Sequence, residues 1–138
     1  MFLKRSIKIQ LLFFALCFAC NNNSAIFPKA ENALDAAREF IDGCLKGNFK
    51  KASAYMINDA ENNKRLQDLE KDYKSKNNTD REEYNNSSII INQEETLSDS
   101  LEIINYKNSF DKVARKVKVV YQNGKWLVDF KYTFNGNL

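Results

Sequence analysis

The spacing of apolar residues changes once along this chain, and that change limits the fold more than any single motif. Over residues 30–45, Ala33, Leu34, Ala37, Phe40, Ile41, Cys44 and Leu45 recur at three- and four-residue steps, the period of a helix with one buried face. After residue 88 the period becomes two. Residues 88–96 hold Ile89-Ile90-Ile91, and residues 100–106 hold Leu101, Ile103 and Ile104. Over residues 113–121, Val113, Val117, Val119 and Tyr121 interleave with Lys116 and Lys118. Asn123-Gly124 follows, and both residues tolerate the positive φ that a tight hairpin needs. Residues 125–134 then place Trp126, Val128, Phe130, Tyr132 and Phe134 on one face of a strand, with Asp129, Lys131 and Thr133 on the other. Helices followed by hairpin-linked strands predict an α+β domain, with N-terminal helices on one face of an antiparallel sheet of about four strands.

The helical half is punctuated. Asp35, Arg38, Asp42 and Lys46 lie opposite the apolar stripe at spacings where opposite charges support a helix. Gly43 interrupts the stripe at a cost of about 1 kcal/mol against Ala, which predicts a close approach by another element. Gly47 stops the helix. Asn48 caps a second, short one reaching about residue 56, with Phe49, Ala52, Tyr55 and Met56 inward. Residues 59–84 are the most charged stretch. Leu66, Leu69 and Tyr73 make a thin stripe for a third helix ending near residue 75, and residues 77–80 read as a loop. With one proline, few glycines and no internal repeat, the chain is expected to form a single domain.

The first residues read as an address. Lys4, Arg5 and Lys8 precede an uncharged run over residues 11–20 that is too short to cross a bilayer, which needs about 20 apolar residues. A basic start, an apolar run and a small residue before a cysteine read as a secretion signal. Ala19-Cys20 resembles the cleavage site of bacterial lipoproteins, which implies lipidation at Cys20. The resulting division is a signal peptide over residues 1–19, a polar tether over 20–28 and one domain over 29–138. The implied location is the bacterial cell envelope, with a lipid anchor in a membrane, the periplasmic side of the outer membrane being expected. The net charge of +3 resides entirely in the signal, so the mature chain is formally neutral and lacks the basic footprint of a nucleic-acid binder.

Histidine is absent, which excludes Ser-His-Asp and Cys-His mechanisms and the usual histidine-containing zinc sites. No metal or cofactor is expected. With Cys20 lipidated, Cys44 has no partner in the mature chain and reads as a small buried hydrophobe. The carboxylates offer little for catalysis: Asp129 alternates with Lys131 on the face expected to be solvated, Asp111 falls in a turn, and Glu82-Glu83 and Glu94-Glu95 are adjacent pairs that a helix or strand splays apart. Tyr55, Tyr106, Tyr121 and Tyr132 carry the phenols that an oxyanion site could use.

Gly47-Asn48-Phe49-Lys50-Lys51-Ala52 resembles the turn between the first two helices of the nuclear-transport-factor-2-like superfamily, a cystatin-like α+β group. Asn123-Gly124-Lys125-Trp126-Leu127-Val128 resembles its last hairpin. The resemblance implies helices over a strongly curved sheet, kinship with small bacterial lipoproteins of unknown function, and dimerisation through the sheet. SnoaL-like cyclases and ketosteroid-isomerase-like enzymes of the superfamily work through a carboxylate inside the cone. The reading reached here is instead a non-catalytic binding domain for a small apolar ligand or an envelope protein, with Phe40, Tyr55, Trp126, Phe130 and Tyr132 as contact residues. Trp126 is expected beneath the first helix. The alternative is a small isomerase or cyclase with a pocket carboxylate.

Overall fold

The computed structural model describes residues 26–135, so the expected signal and Cys20 lie outside the described residues. Four helices precede four strands: α1 Ala33–Leu45, α2 Phe49–Ala54, α3 Ala60–Ser75, α4 Asn78–Asn86, β1 Ile89–Ser98, β2 Leu101–Asn108, β3 Arg115–Gln122 and β4 Lys125–Asp129, with a 3₁₀ segment over Phe130–Phe134. The strands pair antiparallel in the order β1-β2-β3-β4. The chain is therefore an α+β domain. Its packed contacts begin before residue 29, because Phe27 lies against Tyr55 and the Tyr55 hydroxyl donates to the Pro28 carbonyl at 2.7 Å.

Each helix starts on a side-chain cap. Asn32, Asn48, Asp59 and Asn77 accept the backbone N–H of Asp35, Lys51, Asn62 and Asp80 respectively, each cap contributing about 1 kcal/mol. The last of these corrects an expectation. Residues 77–80 are not a loop but the start of α4, because Asn77 and Asp80 are cap chemistry: the Asn77 amide also donates to the Asp80 carboxylate at 3.0 Å.

α1 crosses the sheet and touches all four strands. Its Ala33, Ala36, Ala37, Phe40 and Ile41 are buried against Ile104, Val117, Val119 and Val128. Gly43 explains how α2 fits beneath: a Cβ there would stand 2.7 Å from the Ala52 backbone nitrogen. Gly47 ends α1 at φ +67°. The hairpin turn uses Asn123 and Gly124, both at positive φ.

β4 is shorter than the alternation predicts. It ends at Asp129, and the chain turns into the 3₁₀ segment. Competing partners stop the ladder: the Lys131 N–H donates to the Asn62 side-chain oxygen at 2.7 Å, and the Thr133 hydroxyl to the Lys116 carbonyl at 2.7 Å. The five aromatic and aliphatic residues expected on one face therefore separate. Phe130 swings into the core beside Phe40, ring centroids 4.9 Å apart, while Phe134 is largely exposed. Trp126 is half-buried, packs on the core margin and faces Tyr121 across the hairpin at 5.1 Å, rather than lying fully covered beneath α1. The free side of β4 is covered too: the Val128 N–H donates to the Tyr55 carbonyl at 2.8 Å, and the Ile57 N–H to the Val128 carbonyl at 2.9 Å.

Asp129 is the second correction. It is buried, not solvated. Its carboxylate is held by Lys118 and Lys131, each at 2.7 Å, and by the Asn62 amide at 3.2 Å. Burial pushes its pKa up, but these three donors outweigh that and hold it below the ordinary carboxylate value. Lys131 also reaches Asp59 at 2.8 Å, so one polar network ties the start of α3 to the end of β4.

Candidate functional site

The periodicity of α1 puts Phe40 and Cys44, and likewise Ile41 and Leu45, one turn apart on the helix. With Leu69 and Tyr73 of α3, and with Phe130 and Phe134 of the 3₁₀ segment, they enclose an apolar cavity of about 360 Å³. The sheet supplies its other wall. Residues two apart on a strand share a face, so Ile104, Tyr106 and Asn108 of β2 all point to the helix side. That face grades from Ile104 in the core to Tyr106 and Asn108 in the cavity wall.

Several polar groups around this space are paired with one another. The Asn108 side-chain oxygen accepts the N–H groups of Phe110 and Asp111, each at 2.9 Å, and so shapes the turn after β2. Asp111 takes two hydrogen bonds from the Arg115 guanidinium, at 3.1 and 2.7 Å, and one from the Val113 N–H at 2.9 Å. Burial pushes the Asp111 carboxyl up, but Arg115, Val113 and Asn108 pull harder, and it settles at about 2. Lys76, over the Tyr84 ring at 5.5 Å, pairs with Asp72 at 2.9 Å. Tyr84 of α4 reaches Asp111 through its hydroxyl at 3.3 Å and stacks edge-on against Phe110.

Tyr106 differs. It is 7% exposed, and among the described residues its hydroxyl has no hydrogen-bond partner. No fully buried polar side-chain atom of the described residues lacks a partner, so this oxygen opens on space, and the space it lines is the cavity. Burial raises its pKa well above the usual phenol range, so the hydroxyl stays protonated. Cys44 lines the same cavity, and burial likewise pushes its thiol up, the opposite of what a nucleophilic thiolate needs. Among the described residues no cluster of three or more Cys, Asp and Glu could hold a metal ion.

Of the five contact residues expected from sequence, the structure brings two together. Phe40 and Phe130 line the cavity. Tyr55 is a core residue whose hydroxyl is spent on Pro28. Trp126 sits at the hairpin, and Tyr132 is half-buried with Lys118 over its ring at 5.5 Å. Ile41, Leu69, Tyr73 and Arg115 were not expected as contacts, and Tyr106 was considered only as a phenol that an oxyanion site could use. The signal for Tyr106 was the two-residue step from Ile104, which places it inward. Comparison with protein-family models, with curated proteins and with solved structures gives no match to this chain.

Proposed function

We propose that this chain is a lipid-anchored envelope protein whose domain binds a small apolar ligand in the cavity between α1, α3 and the sheet, and carries out no chemistry on it. The observation that carries this reading is an apolar space of about 360 Å³ whose two lining carboxylates are both paired, Asp72 with Lys76 and Asp111 with Arg115, the Asp111 carboxyl being held at about 2. Ligand pockets commonly span about 300–1,000 Å³ with mostly apolar walls and a few placed polar groups. A general base for proton abstraction needs a pKa raised toward neutrality, and Asp111 moves the other way. The resemblance of the helical turn and the last hairpin to the nuclear-transport-factor-2-like superfamily supports the same place for a ligand.

The test is to expose the purified protein to a lipophilic metabolite extract and identify what remains bound. The wild type should retain a compound unchanged, and Leu69→Trp, which fills the cavity, should retain none while keeping its circular dichroism. Conversion of the bound compound, stopped by Asp111→Asn with binding intact, would replace this reading by the isomerase- or cyclase-like one.

A further inference from the structure

We propose that α4 is a gate to the cavity, carried between two extended hinges and latched by Tyr84 against the turn that joins β2 to β3. Its purpose rests on the binding reading above; its movement does not.

α4 differs from the other three helices. α1, α2 and α3 each bury residues, and α4 buries none. Its nine residues are too few to hold a helix in water by themselves, since isolated helices shorter than about 12–15 residues are marginal. Its place therefore depends on what it touches. Among the described residues, every side-chain hydrogen bond of α4 and its caps stays within residues 77–87 except one, and that one belongs to Tyr84.

Tyr84 spans a gap. On one side the Lys76 ammonium, at the end of α3, lies 5.5 Å over its ring. On the other, Phe110 meets the ring edge-on with centroids 4.9 Å apart, and the Tyr84 hydroxyl donates to Asp111 at 3.3 Å. Lys76, Tyr84 and Asp111 all line the cavity, so Tyr84 completes its wall between α3 and the turn. The bond to Asp111 is long, and Arg115 holds that carboxylate more closely, at 2.7 and 3.1 Å. Lys76 keeps Asp72. Withdrawing Tyr84 therefore leaves every charge around it paired.

The chain on either side allows that movement. Lys76 and Asn77 are both extended, with ψ of 151° and 167°, and so is Ser87, with ψ of 147°. The segments beyond these hinges are tied down. The Lys76 N–H donates to the Tyr73 carbonyl at 3.2 Å, and Ser88 and Ser109 exchange hydrogen bonds at 2.9 and 3.0 Å. Rotation about the hinge ψ angles swings α4 as one body without breaking a bond inside α3 or the sheet.

Cys44 reports the opening, because it lines the cavity and is the only cysteine among the described residues. Protein purified after expression of the full chain is exposed to methyl methanethiosulfonate at several urea concentrations below the unfolding transition. Labelling at Cys44 is timed by mass spectrometry of the peptide that holds it. The wild type should label at a rate flat in urea, the mark of a local opening that exposes little surface. Tyr84→Ala should label about ten-fold faster, the worth of the lost ring contact and hydrogen bond, and stay flat in urea. Alanine is the better helix former, so the variant removes the latch and not the helix. Glu83→Ala, at an exposed position of the same helix, should match the wild type. Equal rates in wild type and Tyr84→Ala overturn the gate. So does a rate that climbs with urea as steeply as global unfolding does. A faster Phe134→Ala beside an unchanged Tyr84→Ala would move the entry to that exposed ring. No ligand takes part, so a failed gate leaves the binding reading standing, and the retention test above can fail while the gate stands.

Discussion

Asp111 and Asp129 are held ionised by arrays of donors, and acid should release them. Asp111 carries a pKa of about 2 in the folded chain against 3.8 for the free side chain. A depressed carboxylate contributes stability above its unfolded pKa, and that contribution is lost as pH falls through the folded value. For Asp111 this amounts to roughly 2 kcal/mol, present at neutral pH and lost between about pH 4 and pH 2. Urea melts over that range should therefore show a falling midpoint, and Asp111→Asn should flatten the fall. A slope unchanged by Asp111→Asn would mean that the Arg115 pair is not what depresses the carboxyl. Asp129 acts in the same direction, and its side chain is only 7% exposed, between Lys118 and Lys131. Asp129→Ala leaves the Lys118 ammonium without its carboxylate and Lys131 and the Asn62 amide with Asp59 alone, so it should cost about 3 kcal/mol in denaturant melts. An effect below about 1 kcal/mol would show that water replaces the carboxylate there at little cost.

At the scale of elements, α1 and α2 are fitted to one another through a missing side chain. Helix propensity alone favours Gly43→Ala by about 1 kcal/mol. The new Cβ would lie 2.7 Å from the Ala52 nitrogen and 3.0 Å from the Asn48 carbonyl oxygen, both backbone atoms that cannot rotate away. Overpacking costs typically 1–3 kcal/mol, so contact should win and the variant should be less stable than the wild type. A stabilised variant would show that α2 moves aside freely. The close approach at Gly43 was legible in the sequence because a glycine within a helical stripe needs a reason. α4 was not, because its first residues, Asn77 to Asp80, have loop composition and cap function at once, and composition cannot distinguish these. The end of β4 was hidden for a different reason. The alternation through Phe134 continues without a break, and what stops the strand is Asn62, some seventy residues away, taking the Lys131 N–H. The amide nitrogen of the same Asn62 donates to the Asp129 carboxylate, so one distant residue bears on both local readings. In the cavity, Phe40 and Phe130 were legible from periodicity. Tyr132 was grouped with them only because the strand was read too long, whereas Trp126 lies in β4 itself but at its hairpin end, outside the cavity lining.

The whole molecule has one covered sheet edge and one open one among its described residues. Backbone bonds from Tyr55 and Ile57 cover β4, whereas β1 has β2 on one side only. β1 carries the exposed Ile90 and Leu97 but also Glu94 and Glu95 and two breaks in register, features that discourage edge-to-edge pairing. Without the basic residues of the expected signal the chain is formally neutral, so its composition offers no excess of basic charge to draw it to an anionic bilayer. No helix of the described residues is long and apolar enough to cross one. For the envelope protein proposed here, the attachment we propose is a lipid at Cys20. Cells fed a clickable fatty acid should label the wild-type chain and not Cys20→Ala, while Cys17→Ala should label normally. A single chain binds membranes only marginally, and stable anchoring takes at least two, so the labelled protein should resist extraction by salt and carbonate and yield only to detergent. Equal labelling of wild type and Cys20→Ala, or loss confined to Cys17→Ala, would remove the anchor at Cys20. Ordinary secretion, with Cys20 incidental, would then take the place of the lipid anchor.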